Sequence, residues 1–458
     1  MPPVSAPTAE AVSSRADPSR LPRHLGPWNA ALLLVTFTIG VGILQSPGVV
    51  AANTGSIALS YAAWIVGATA ALCGSLVMAE LAVRTPRSGG TTVFLREAFG
   101  PRIAFMFGWT SMFINPVGAA AITLVSTRNL GAILGLSVST QTIIGLVWVG
   151  LITLLNMRSS WLVGRIIGGV GLLKISALGA VVVVCLAGNG GAADATTAQA
   201  PEIVSPLVGF GLAVIAAMYA YDGWEGLALV AGEVREPARN LPRATLLGMA
   251  LIVTIYLSMN AGFFHALPFA EMATTHALAA TAIGRVVGEN AARLVTAFVA
   301  FSAASTVFSS LMCNPRIVFA LAEEGEFFRS VATVHSRWKT PVVAIAIYGA
   351  MTMLYIASGS GFERLTRYKV LGFLPFYGLI AIAAILGRRR APPTPGSYAM
   401  PLYPLPIVLM LVYVVCGIAS GFAGDFFAAL GGILIITAGA AVYEVWRYLR
   451  RRQISVGM

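Results

Sequence analysis

Apolar residues run along this chain in long blocks, without the strict alternation of a half-buried strand and without the narrow stripe of a surface helix. The blocks fall near residues 28–54, 57–82, 102–127, 138–156, 161–188, 206–232, 244–267, 291–321, 341–358, 369–387, 402–420 and 425–447. Each is near the length that a helix needs to cross about 30 Å of hydrocarbon. In lipid a helix satisfies every backbone group within its own segment, so the pattern predicts an all-α membrane protein with about twelve transmembrane helices.

Two blocks are interrupted at places that correspond in order. The first breaks at Thr38-Ile39-Gly40-Val41-Gly42 and the sixth at Tyr221-Asp222-Gly223-Trp224-Glu225. This correspondence predicts two inverted five-helix repeats, about 28–188 and 206–387, within a core of 25–390. Residues 391–458 then supply two further helices and a basic end. A helix broken at membrane depth is expensive unless its freed backbone groups line a cavity or meet a ligand. The start of the second half-helix offers N–H groups and a dipole that suit a carboxylate, and the end of the first half offers carbonyls that suit an ammonium. An α-amino acid carries both. The competing reading is close helix packing, since the chain holds 48 Gly and a lone Gly-x-Gly is a weak signal.

Composition excludes a soluble protein: 57% of residues are hydrophobic, 10% are charged, and the mean hydropathy is +0.82. A net charge of +12 would suggest nucleic acid in a soluble chain, but here its placement reports topology and no nucleic-acid partner is expected. With the first helix running outward, the cytoplasmic side receives Arg15, Arg20, Arg23, the groups around Arg84–Arg102, Arg158, Arg165, Arg235–Arg243, Arg316–Lys339, Arg388–Arg390 and Arg447–Arg452. The opposite side receives Arg128, Arg285, Arg293, Arg364, Arg367 and Lys369, which leaves Lys174 within a span. Both termini are therefore expected in the cytoplasm. Residues 1–24 read as a disordered cytoplasmic tail rather than a cleaved leader.

Cys73, Cys185, Cys313 and Cys416 lie in apolar runs without ligand spacing, and His24, His265, His276 and His335 lie at or beyond the ends of spans. Neither a metal site nor an acid–base centre is expected, and hence no enzyme and no cofactor. No Gly-Lys pair occurs, so the chain has no phosphate-cradling loop for ATP. Lys174 is the exceptional charge. It falls near the middle of the fifth block, where an ammonium costs several kcal/mol unless paired or wet. Asp222 and Glu225 have the spacing of a capping box, which gives both a structural use; alternatively Asp222 faces a pocket and attracts a cationic side chain.

Three motifs in order then resemble one family. Ile39-Gly40-Val41-Gly42-Ile43-Leu44-Gln45-Ser46-Pro47 is similar to a G-x-G-I-F-x-S-P signature, with Leu44 in place of Phe. Ala79-Glu80-Leu81 with Pro86-Arg87-Ser88-Gly89-Gly90 resembles a second span and its re-entrant cytoplasmic loop. Tyr219-Ala220-Tyr221-Asp222-Gly223-Trp224, leading into Gly232-Glu233-Val234 and Pro237-Ala238-Arg239-Asn240-Leu241-Pro242, resembles its sixth-span signatures. The family is the amino acid-polyamine-organocation superfamily, and the resemblance is to bacterial L-type amino-acid transporters across nearly the whole chain.

The resemblance implies a LeuT-like 5+5 inverted repeat with discontinuous helices 1 and 6. It implies that substrate carboxylate meets the backbone of Val41 and Gly42, within the Gly40–Ile43 turn. The amine would meet carbonyls of Ile39, Tyr219 and Ala220, with Tyr219 as an outer aromatic gate beside Asp222 and Gly223. Lys174 would stand in for a sodium ion, with Ser302 and Ser305 as partners in span 8. The implied function is sodium-independent secondary transport of small or medium neutral amino acids across a bacterial inner membrane, by exchange or proton coupling. A cationic amino-acid or polyamine antiporter is the alternative, and a membrane-embedded enzyme is the distant one. The loop expected at 128–140 has no Cys, so no disulfide-linked heavy subunit is expected; the chain would act as a monomer or weak homo-oligomer in the bilayer.

Overall fold

Pro27, Pro101, Pro206 and Pro237 each stand in the first turn of a helix, where a missing N–H costs nothing and the fixed φ favours the turn. Gly55 and Gly135 end helices in the left-handed conformation, at φ +67° and +65°. The computed structural model describes residues 25–85, 90–158, 160–188, 205–229, 231–275, 277–323, 325–338, 340–393 and 398–456, without the side chains of 160–172, 229, 233 and 449–456. The tail 1–24, the loop 86–89, His24, His276 and Lys339 lie outside the described residues.

The helices are α1 (Pro27–Thr38), α2 (Gly42–Thr54), α3 (Ile57–Arg84), α4 (Thr91–Phe99), α5 (Pro101–Leu134), α6 (Val138–Arg158), α7 (Ser160–Ala187), α8 (Pro206–Ala220) and α9 (Gly226–Leu229). They continue with α10 (Pro237–Ala266), α11 (Phe269–Thr274), α12 (Leu278–Val287), α13 (Glu289–Cys313), α14 (Pro315–Glu323), α15 (Val342–Ala357), α16 (Phe362–Arg390), α17 (Leu405–Gly424) and α18 (Phe426–Val456). Among the described residues there is no β-strand, only an isolated bridge between Leu25 and Val234. Among the described residues, eight helices are long and apolar enough to cross a membrane, and α1 with α2, bent by 53°, makes a ninth broken span. The apolar segments Leu173–Ala187 in α7, α8 and α15 are shorter and occupy the remaining expected positions.

Burial separates core from periphery. In α3, 72% of the most apolar window is buried inside the protein, against 22% in α6. Ile143, Val147, Leu151 and Leu154 on α6 are all more than half exposed, at helical spacing, as lipid-facing residues must be. α5 lies centrally against α13, α15 and α16, α1 lies along α10, and α2 lies along α8.

Three boundaries differ from the hydropathy pattern. α10 begins at Pro237 and α16 at Phe362, each about two turns before the apolar block, because their first turns carry Arg239 and Arg243, or Glu363, Arg364 and Arg367. Lys369, assigned to the outer side by charge placement, is therefore inside α16, and Lys174 is not alone within a span. The third difference is at the loop expected over 128–140, which is short, because α5 runs to Leu134 and α6 starts at Val138.

Candidate functional site

The first break is made by backbone conformation. α1 ends at Thr38, Ile39 is extended at φ −75° and ψ 98°, and α2 restarts at Gly42 without a side-chain cap. The Ile39 N–H still donates to Val35 O at 2.7 Å, and Leu44 N–H donates to Val41 O at 3.0 Å. Between them, the N–H groups of Gly40, Val41, Gly42 and Ile43 have no backbone acceptor among the described residues. A run of bare N–H groups at a helix N-terminus is a ready site for a carboxylate.

The second break is seated on the first with almost no side chains between them. A Cβ added to Gly42 would lie 2.7 Å from the Ala220 Cα, so only glycine allows α2 to approach the end of α8. Gly223, at φ +103°, would place a Cβ 2.7 Å from the Phe37 carbonyl oxygen. Gly223 thus serves the contact with α1 as well as the turn. The buried Tyr256 hydroxyl, from α10, lies 2.8 Å from the Ala220 carbonyl and 3.1 Å from the Thr38 carbonyl and donates across both breaks. Tyr219 O accepts from the Asp222 N–H at 3.3 Å. Of the three carbonyls expected to receive a substrate amine, those of Tyr219 and Ala220 therefore each have one partner already and keep a second lone pair. Removing the Tyr256 hydroxyl leaves the breaks without this tie. Tyr256→Phe should lower the unfolding midpoint in detergent, at a cost of about 1–3 kcal/mol, with correct insertion retained.

Asp222 does not cap α9. Its carboxylate forms an ion pair with Lys369 of α16, and among the described residues no backbone N–H donates to it. Glu225, the other carboxylate of the expected pair, leaves its Oε2 buried without a hydrogen-bond partner among the described residues. Lys369 also stands 5.7 Å from the centroid of the Tyr219 ring, which meets Phe362 edge-on at 5.6 Å. Tyr219 is 5% exposed, and among the described residues its hydroxyl has no hydrogen-bond partner, nor do the hydroxyls of Thr38 and Tyr221. Unpaired buried hydroxyls gathered at two helix breaks are unusual for a packed core and fit a place that receives a polar ligand.

Lys174 is buried, at 9% exposure, and its ammonium donates to Thr306 Oγ1 at 2.8 Å. The partner differs from Ser302 and Ser305, the pair expected from the sequence. Ser302 acts through its carbonyl, which accepts from Thr306 Oγ1 at 3.0 Å and from Ser305 Oγ at 2.7 Å. A helical carbonyl within reach of hydroxyls three and four residues later takes both, which leaves Thr306 as the hydroxyl facing α7. Thr306 also faces Gly40, where a Cβ would lie 3.7 Å from its methyl group. Lys174, Thr306 and Gly40 thus link α7, α13 and the first break.

A second polar centre lies where α3 meets the end of α16. Glu80 is fully buried and holds Arg388 through two bonds of 2.7 and 2.6 Å, Arg84 at 3.0 Å, and the Met400 N–H at 2.9 Å. The Arg388 guanidinium lies 3.9 Å from the centroid of Tyr403.

The chain matches the amino acid permease family over residues 25–443. It is 27% identical over 431 residues to the serine/threonine exchanger SteT of Bacillus subtilis, covering 92% of this chain and 96% of that one. It is 27% identical over 448 residues to the b(0,+)-type amino acid transporter 1 of Rattus norvegicus, covering 96% and 91%. With the cystine/glutamate transporter of Homo sapiens it shares 26% identity over 423 residues, covering 90% and 83%.

Proposed function

The chain belongs to the amino acid permease family, and from that premise we propose that it exchanges small or medium neutral L-amino acids across a bacterial inner membrane, without sodium and by alternating access. As a member of the amino acid-polyamine-organocation superfamily it is a multi-pass membrane transporter and not an enzyme, and its all-helical fold is of the LeuT-like kind. The two breaks correspond to first helices of two inverted five-helix repeats, with both termini in the cytoplasm. The observation that carries the substrate reading is the run of bare N–H groups at Gly40–Ile43 beside the end of α8. An α-carboxylate takes the N–H groups while an α-ammonium takes the carbonyl ends of α1 and α8. The serine/threonine exchanger is a relative named for substrates of this size and charge. Counterflow in proteoliposomes, with labelled serine, threonine, alanine or leucine chased by unlabelled amino acid, tests it. Saturable exchange of chemically unchanged substrate is expected, and the absence of any such exchange overturns the reading.

Lys174 carries the coupling. Its fixed ammonium ties α7 to α13 beside the first break, the place where a bound cation would otherwise brace those helices. Replacing sodium by choline should leave the exchange rate within about twofold, and Lys174→Ala should reduce turnover about tenfold or more while the protein still inserts. A steep sodium requirement in the wild-type protein contradicts this role.

A further inference from the structure

Lys369 has no role in the function proposed so far, yet its ammonium reaches the second break from a neighbouring helix. It lies two turns inside α16, and its side chain passes over Gly118 of α5, where an added Cβ would stand 2.6 Å from Lys369 Cδ and 3.0 Å from Nζ. Gly118 therefore forms the groove in which the lysine lies. The chain ends on Asp222, two residues beyond Ala220, with the ammonium 5.7 Å from the Tyr219 ring centroid. The Lys369 side chain is 13% exposed and that of Asp222 31%. Glu225, the other carboxylate of the break, is near enough to feel this ammonium's charge but is not joined to it in an ion pair among the described residues, and its Oε2 is buried without a hydrogen-bond partner there.

We propose that Lys369 is a built-in occupant of the substrate side-chain pocket, holding Asp222 in the place where the ammonium or guanidinium of a basic amino acid would bind, and so confining transport to uncharged side chains. This rests on the reading that the two helix breaks bind an amino acid. A lysine tethered within the protein meets its carboxylate at a far higher effective concentration than a dissolved substrate does. A basic substrate has to separate a largely desolvated ion pair before it can form an equivalent one, whereas a neutral side chain leaves the pair intact. The same logic applies to acidic substrates, because Asp222 already satisfies the ammonium that would receive them.

The test compares purified wild-type protein with Lys369→Met, Asp222→Asn, and the double variant Asp222→Asn/Lys369→Met. Thermal stabilisation is titrated with serine, alanine, leucine, ornithine, lysine, arginine, aspartate and glutamate. Wild type should respond to at least one neutral amino acid and to none of the charged ones. Lys369→Met frees the Asp222 carboxylate and should bind ornithine or lysine at least tenfold more tightly than wild type, and the double variant should lose that gain. Asp222→Asn frees the ammonium and should gain aspartate or glutamate in the same way, which decides the matter if Lys369→Met does not purify as a single species. Equal response of wild type to basic and neutral amino acids overturns the proposal, as does a folded single variant that binds neutral substrate without gaining its charged class. No response of wild type to any amino acid overturns instead the underlying assignment of the site, and this proposal with it.

Discussion

Gly42→Val lowers exchange about hundredfold, and it does so through the backbone on both sides of the site. Even the first carbon of the new side chain falls 2.7 Å from the Ala220 Cα, which cannot rotate away as a side chain can. The breaks have to part, at a cost of about 1–3 kcal/mol for an overpacked contact, and each 1.4 kcal/mol withdrawn from binding is tenfold in affinity. Valine also covers the N–H groups proposed to receive the carboxylate. The Ala220 contact means that some stability is lost along with binding. Gly40→Ala supplies the comparison, since its Cβ would lie in ordinary contact, 3.7 Å from Thr306. Counterflow in proteoliposomes, normalised to correctly folded protein by size-exclusion chromatography, measures both. Wild-type exchange in Gly42→Val would show that the turn does not contact substrate.

Arg388→Met has the largest expected effect on stability. It removes two short charge-assisted bonds from Glu80, a carboxylate with no exposure at all, and leaves only Arg84 and the Met400 N–H to hold it. Breaking a buried ion pair from one side typically costs about 3–5 kcal/mol, because the remaining charge stays desolvated. The unfolding midpoint in detergent should fall by several degrees and the yield of monodisperse protein should drop. Replacing the carboxylate as well, in Glu80→Gln/Arg388→Met, should recover part of the loss, since it removes the stranded charge. A single variant as stable as wild type would mean that water reaches Glu80.

The helix breaks were legible because they depend on local chemistry: Gly40, Gly42 and Gly223 stand out from apolar runs, and the two interruptions correspond in order. Lys174 was legible for a similar reason, since a charge in mid-block has few alternatives. Lys369 was not. It sits at the edge of an apolar block, and hydropathy counts such a lysine as the start of the aqueous side; that α16 begins seven residues earlier is decided by packing against α5 and α17. Thr306 and Tyr256 carried no signal of their own, being a hydroxyl among several on α13 and one tyrosine of 13. Which hydroxyl faces Lys174 depends on helix rotation, and rotation follows from tertiary contacts that periodicity does not encode.

The way the two breaks touch also determines where the molecule can give. Gly42 on Ala220 and Gly223 on Phe37 are backbone resting on backbone, with no flexible layer to absorb sliding. Such a joint is stiff, and close-packed surfaces of this kind shift between discrete seatings instead of shearing gradually. The pair of breaks then behaves as one rigid lever, and the compliance has to lie at its edges. The Lys369 side chain over Gly118 is the softest of these, four methylenes lying in a groove that lets the ammonium follow Asp222 through a displacement of a few ångströms by changing rotamers. A bulkier residue at position 118 would stiffen that edge and slow the lever without touching anything that it carries.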